Sequence, residues 1–204
     1  MTPDGVGARM VALVGAGAAF SVTFGEVTVD VPTDRWVEAL TAARDDPQVA
    51  ARFFDWLSAV DETDRPPAGF SVLAHLYSLT GRHHLLLRTL VPTDRPRLPS
   101  VVGVFAGAGW HERETAEMFG VVFDGHPDPT PLLLPDGFEG HPLRKDFVLA
   151  ARVAKPWPGA PEPGQGHPAA PRRTRTRPPG VPDPARWGAG HQESAAGQVG
   201  GDGD

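Results

Sequence analysis

Apolar and polar residues alternate most clearly at Phe20, Val22 and Phe24 and again at Val27, Val29 and Val31, with the phase slipping once at Gly25-Glu26. Period-two alternation marks a strand with one buried face, so this stretch predicts either a hairpin turning at Gly25-Glu26 or a single bulged strand. Trp36, Val37, Leu40 and Ala43 then fall at helical spacing behind Thr33 or Asp34 as the cap. Asp46-Pro47 offers a further cap followed by proline at the first helical position, which predicts a second helix running through Phe53, Phe54, Trp56, Leu57 and Val60. Arg65-Pro66-Pro67-Ala68-Gly69 breaks the chain. Residues 70–79 and 83–91 read as two strands of a hairpin joined at Thr80-Gly81-Arg82. His83 and His84, adjacent on a strand, must face opposite ways, which predicts one exposed and one half-buried imidazole rather than two ligands of one metal. Ser100 is placed to cap a short helix reaching Ala108. Residues 110–119 predict another helix closed by Gly120, and 121–123 a short strand.

These elements make an α+β body, a two-layer antiparallel sheet with packed helices, over residues 20–151. Residues 124–147 within it hold no sustained period and read as irregular and loop-rich, and residues 1–19 read as a partly ordered N-terminal segment. The stretch 152–204 contains 10 of the 23 prolines and 10 of the 24 glycines. With only Trp157 and Trp187 as aromatics it cannot bury enough apolar surface to offset its ordering entropy, so it reads as a disordered tail. Charge divides at the same place, with 20 acidic and 12 basic residues before Arg152 and 5 and 7 from there on. An acidic body argues against nucleic-acid binding. The cluster Arg172, Arg173, Arg175 and Arg177 reads as a solvated basic tract.

The chain of 204 residues has no cysteine, which excludes disulfides, thiolate metal sites, iron–sulfur ligation and a cysteine nucleophile. The apolar run 10–20 is too short for a membrane span, which needs about 20 residues. Arg9 and the small residues behind it faintly suggest a secretory signal, but Asp4 and the strand pattern that follows at once predict that the segment is retained. Gly15-Ala16-Gly17 lacks the third glycine, the preceding strand and the acidic ribose partner of a dinucleotide fingerprint.

Residues 110–147, WHERETAEMFGVVFDGHPDPTPLLLPDGFEGHPLRKDF, carry the most information. On the 110–119 helix, Glu112 shares a side with Thr115, Ala116 and Phe119, and Glu114 with Trp110, Glu117 and Met118, so the helix reads as contacted from both sides. Two Gly-His-Pro tripeptides make rigid extended corners. Arg144-Lys145 sets positive charge between Leu143 and Phe147, a mixture of cation and apolar anchor suited to a protein interface. His111, Glu112, Glu114, His126, Asp128 and His141 are the residue types of an oxygen/nitrogen metal site. The helix has no second histidine at i+4, and Glu112 and Glu114 diverge by about 200°, so neither a zincin pattern nor a convergent acid/base pair is present. A nucleophile elbow and a phosphate loop are likewise missing from the sequence.

This region resembles the signature of the 30 kDa subunit family of the proton-pumping NADH–quinone oxidoreductase (respiratory complex I). The E-R-E, acidic, F-G pattern is met by Glu112, Arg113, Glu114, Glu117, Phe119 and Gly120, and the G-H-P-D corner by Gly125, His126, Pro127 and Asp128. Pro135-Asp136 and then Gly140, His141, Pro142, Leu143, Arg144, Lys145, Asp146 and Phe147 meet the P-D…G-H-P-L-R-K-D-F/Y block. Weaker similarity reaches upstream to about residue 35, through residues 53–57 with Asp61, residues 70–78 and Pro99-Ser100. Three departures stand out: Pro129-Thr130-Pro131 where the family has a basic run, Glu117 where aspartate is common, and Val148 where proline is common.

The resemblance implies a non-catalytic structural subunit that binds no cofactor itself. FMN, iron–sulfur clusters and quinone would sit on other subunits. It implies packing in the hydrophilic arm against the 49 kDa-like subunit, near the cluster-bearing subunits, peripheral to the membrane at its cytoplasmic face. It further implies a docking surface made by Trp110, Glu112, Arg113, Glu114, Phe119, Gly120, His126, Pro127, Asp128 and residues 140–147, with Arg113 and Arg144 pairing partner carboxylates and Phe147 anchoring. The internal alternative has Arg113 paired with Glu117 at i,i+4 and the Gly-His-Pro corners folded back on the body. A second class stays open, the equivalent subunit of a membrane-bound hydrogenase or another donor-driven complex. An independent soluble enzyme or binding module is the third.

Overall fold

The computed structural model describes residues 1–135 and 137–147; Asp136 and residues 148–204, with Val148 and the expected tail, lie outside them. Strands β1 (Ala19–Thr23) and β2 (Glu26–Asp30) form the hairpin alternative, Val22 opposite Val27 and Thr23 opposite Glu26. The turn residues Phe24 and Gly25 have φ of 54° and 83°, the primed-turn conformation that matches the strands' own twist. The alternation slips there because the chain reverses.

Helix α2 (Trp36–Asp45) buries Trp36, Ala39, Leu40 and Ala43, as the spacing predicts. Neither Thr33 nor Asp34 caps it. A 3-10 turn at Thr33–Arg35 leads straight into it, and the Trp36 N–H bonds back to the Thr33 carbonyl. The second predicted helix is corrected. Asp46 accepts the N–H groups of Gln48 and Val49 like a helix cap, but a single turn follows and Ala50, at φ 44°, ends it. Residues 53–61 form strand β3 (Phe53–Asp61) instead, with a bulge between Phe54 and Trp56. Strands β4 (Gly69–Ser78) and β5 (His83–Pro92) form the expected hairpin, Ser78 opposite His83. His83 is buried and His84 exposed, as two neighbours on a strand must be.

The five strands lie in the order β1-β2-β5-β4-β3. All pairs are antiparallel except β2 with β5, where the chain returns parallel after passing through α2, β3 and β4. One face of the sheet, with Val27, Val29, Leu57, Val72, Ala74, Leu76, Leu85 and Leu87, is buried in a core completed by helices. Helix α1 (Pro3–Val14) supplies Val6, Met10 and Val14 to that core and packs against β1, β2 and α2. The body therefore begins at Pro3, and the expectation of a merely partly ordered segment before Phe20 is corrected. Asp46 ties α1 in place by accepting from Nε and Nη2 of Arg9, at 3.1 and 2.5 Å.

Ser100 does not open a helix. Residues 101–107 make successive turns, and helix α3 (Ala108–Phe119) starts two residues earlier than the pattern suggests. It packs on β3. Strands β6 (Arg97–Pro99) and β7 (Val122–Asp124) form a separate parallel pair.

Candidate functional site

Much of the irregular chain between Gly125 and Phe147 is fastened to α3. The last four carbonyls of a helix have no partner within it. Here the Ala116 carbonyl takes the N–H of Gly120, the Glu117 carbonyl Nδ1–H of His141 at 2.8 Å, the Met118 carbonyl the N–H of Leu143 at 3.1 Å, and the Phe119 carbonyl Nε–H of Arg144 at 2.6 Å. The second signature block is the C-terminal cap of the helix made by the first. The Arg144 guanidinium also complements the negative end of the helix dipole and sits 4.9 Å over the Phe70 ring, which meets Phe119 edge-on.

Gly120 makes this junction possible. Its φ is 74°, and a Cβ there would run into Nη2 of Arg144 and Nε2 of His141. Gly120→Ala therefore meets both left-handed strain, about 1 kcal/mol, and a clash with the cap. The expected result is a fall of several degrees in the melting temperature, measured by circular dichroism.

The other loops are held in the same manner. Arg113 donates from Nε to the Thr130 carbonyl at 2.7 Å and from Nη2 to the Pro131 carbonyl at 2.8 Å, and it lies 3.5 Å from Asp128. Thr130 and Pro131, part of the stretch that departs from the family pattern, thus give their carbonyls to a cation of the chain's own. The Glu117 carboxylate accepts the N–H groups of Leu133 and Leu134 at 2.8 and 3.1 Å. Burial opposes its charge, but these N–H groups and that of Leu132 outweigh burial and hold Glu117 below the ordinary carboxylate range. His126 donates from Nε2 to the Gly109 carbonyl at 3.0 Å and accepts the Asp128 N–H at Nδ1, a pattern only the neutral ring can make. Asp61, buried at the end of β3, accepts the Lys145 N–H at 2.8 Å, and Lys145 Nζ pairs with Asp64.

Glu112 lies at the centre. It is completely buried; Oε1 accepts the Val101 N–H at 2.7 Å, Oε2 the Ser100 hydroxyl at 2.6 Å, and Nε2 of His126 stands 3.9 Å away. Burial raises its pKa, and the Ser100 and Val101 bonds offset that only in part. A cleft of about 330 Å³ runs beside it, lined by Ala116, Val121, Val122, Phe123, His126 and Pro129 among others.

This geometry divides the residues expected to dock. Glu112, Arg113, Phe119, His126, His141 and Arg144 turn inward or hold loops, and the expectation that Glu112 meets a partner is corrected because its own fold encloses it. Arg113 takes backbone carbonyls rather than Glu117, while both Gly-His-Pro corners fold back on α3. Trp110, Glu114, Pro127, Asp128, Gly140, Leu143, Lys145 and Asp146 are exposed, Trp110 at 69% and Leu143 at 54%; Pro142 is half-buried, and half-buried Phe147 stacks on Phe138. Ser100, Thr130 and Phe70 build the site without having been singled out for it. Their contribution lies in backbone carbonyls, a hydroxyl and a ring face that no side-chain motif announces.

Residues 29–153 match the sequence family described as "Respiratory-chain NADH dehydrogenase, 30 Kd subunit". The corresponding NADH-quinone oxidoreductase subunit of Methylobacterium radiotolerans is 46% identical over 147 residues, 71% of this chain and 67% of that one. Among solved structures, a trypsin-resistant fragment of Nqo5 is 28% identical with a TM-score of 0.54, covering 63% of this chain and 99% of the fragment. A chain of the membrane-bound sulfane sulfur reductase, an archaeal respiratory membrane complex, is 25% identical with a TM-score of 0.61, covering 74% of this chain and 88% of that one. With the signature's two blocks interlocked on α3 and the family match running through both, this chain belongs to the family of the 30 kDa subunit of respiratory-chain NADH dehydrogenase.

Proposed function

We propose that this chain is a non-catalytic structural subunit of the hydrophilic arm of a proton-translocating NADH–quinone oxidoreductase. It docks on the 49 kDa-like subunit beside the cluster-bearing subunits, at the cytoplasmic face of the membrane. FMN, iron–sulfur clusters and quinone belong to those other subunits. Among the described residues no helix is long and apolar enough to cross a membrane; in this reading the chain attaches through its partner subunits. The observation that carries the reading is the set of exposed apolar side chains within the signature region. Trp110, Val122, Leu133, Phe138 and Leu143 all point outward, on α3 or on segments around it that are held by hydrogen bonds. A chain that uses so many polar groups to fix loops and leaves large apolar tips outside is built to be covered. The signature's polar residues shape the surface, and these tips make the contacts.

The test is affinity capture of the tagged full chain from gently solubilised membranes, with mass spectrometry and NADH:quinone activity on the eluate. Co-recovery of the other complex I subunits with NADH-dependent activity is the expected result. Trp110→Ala, at a side chain 69% exposed, should lower that recovery about thirtyfold if Trp110 is an interface anchor, with the melting temperature unchanged. Recovery undiminished by the substitution overturns the docking assignment. The likeness to the sulfane sulfur reductase chain favours one second reading, the equivalent subunit of a complex with a different electron donor. Capture of partner subunits without NADH oxidation would move the assignment there.

A further inference from the structure

The sheet face opposite the helices carries a cluster that the docking reading does not use. The bulge in β3 inserts Asp55 as an extra residue, and its Oδ2 lies 2.9 Å from Nδ1 of His75 on β4. The other nitrogen of His75, Nε2, lies 3.1 Å from Nδ1 of His84 on β5. The two rings are 19° from parallel, Trp56 stacks on His75 at 5.7 Å, and Tyr77 leans against His84 at 4.6 Å. A cleft of about 200 Å³ opens beside them, with Glu26 on its wall.

The Asp55 carboxylate sets the hydrogen at one end of this chain of groups. A carboxylate only accepts, so Nδ1 of His75 carries hydrogen, and when that ring holds a single hydrogen its Nε2 presents a lone pair. His84 fills that lone pair with its own Nδ1–H. A carboxylate that orients one imidazole through its far nitrogen is the outer-shell arrangement that metal-binding histidines use. We propose that His75 Nε2 and His84 Nδ1 form an exchangeable site for a divalent late first-row metal ion such as Zn²⁺, with Asp55 as the orienting carboxylate.

Zinc–nitrogen bonds of about 2.0–2.1 Å in tetrahedral geometry set two ligand nitrogens about 3.3 Å apart. The pair is already near that spacing, and the exposed His84 ring supplies the remaining turn without backbone movement. His75 keeps its tautomer. On His84 the proton leaves Nδ1 and returns to Nε2 through solvent, so a neutral pair takes the ion with no net proton release. Among the described residues no three histidine or acidic groups converge as a metal cage, so water fills the other positions and the site is open rather than structural.

Titration of the full chain with ZnSO₄ in a non-chelating buffer tests this, by calorimetry and by histidine ¹⁵N resonances. One zinc ion is expected to move His84 to the Nε2–H tautomer. His75→Gln and His84→Gln should each weaken binding at least tenfold, and Asp55→Asn, which keeps both ligands, about tenfold. His111→Gln should leave affinity unchanged. Equal zinc affinity in the wild type and a His75→Gln/His84→Gln double variant, or binding with no change of His84 tautomer, overturns the assignment.

Discussion

Glu112→Ala should lower the stability of the body by about 3 kcal/mol, read as a loss of roughly 10 °C in melting temperature for a domain of this size. The substitution strips the buried Val101 N–H and the half-buried Ser100 hydroxyl of their acceptor, and it leaves a void where a fully buried side chain stood. Unsatisfied buried donors and a cavity are two of the few mechanisms that produce losses of this size. Glu112→Gln keeps the volume and one acceptor oxygen, and Ser100 can turn its hydroxyl to accept from the amide, so its cost should be nearer about 1 kcal/mol.

The same pair of proteins separates the charge of Glu112 from its shape. Its folded-state pKa is raised, with burial as the leading cause. Between the ordinary carboxylate value and the raised one, the folded protein holds a proton that the unfolded chain has released. Stability from this group is therefore greatest on the acidic side and falls as pH rises through that window. Asp61, Glu117 and Asp128 are shifted the other way, so the raw profile mixes opposite slopes. Glu112→Gln mimics the protonated acid at every pH. The difference in melting temperature, wild type minus Glu112→Gln, should shrink as pH rises through the window; a flat difference would mean that Glu112 does not titrate in a buried state.

How far the sequence reveals all this differs from element to element. The 110–119 helix, its Gly120 end, the β4–β5 hairpin and α2 are legible because their periodicity and turn residues agree with the final packing. Strand β3 is misleading for a definite reason. Its inward residues are Phe54, Leu57, Ala59 and Asp61, and the extra residue at the bulge stretches the first step to three, the spacing of a helix. Helix α1 buries Val6, Met10 and Val14 at perfect i,i+4 spacing, but the glycines around them and the all-apolar run that follows disguise it. The site shows a different limit. That Glu112 and Glu114 face opposite ways follows from helical geometry alone, and Thr115 and Phe119 on the Glu112 side hinted at burial. Which side met the body could be settled only by the sheet, through residues far away in sequence.

Leu143 and Arg144 should behave as opposites although they are neighbours. Arg144→Ala removes a charged donor from the Phe119 carbonyl at the end of α3 and a cation from the face of Phe70. A charge-assisted hydrogen bond and a partly shielded cation–π contact together amount to about 2–3 kcal/mol. The segment 140–147 would lose one of its side-chain ties to the helix, so assembly should weaken together with a fall in melting temperature. Arg144→Lys should restore little, because an ammonium cannot donate in the guanidinium plane while stacking on the ring. Leu143→Ala keeps the one tie this residue makes, its backbone N–H to the Met118 carbonyl, and removes only an exposed side chain. Its stability should stay within about 0.5 kcal/mol of the wild type while capture of partner subunits drops. If Arg144→Ala were as stable as the wild type and lost only assembly, Arg144 would be a docking contact after all. The view of the second signature block as a helix cap would then fail.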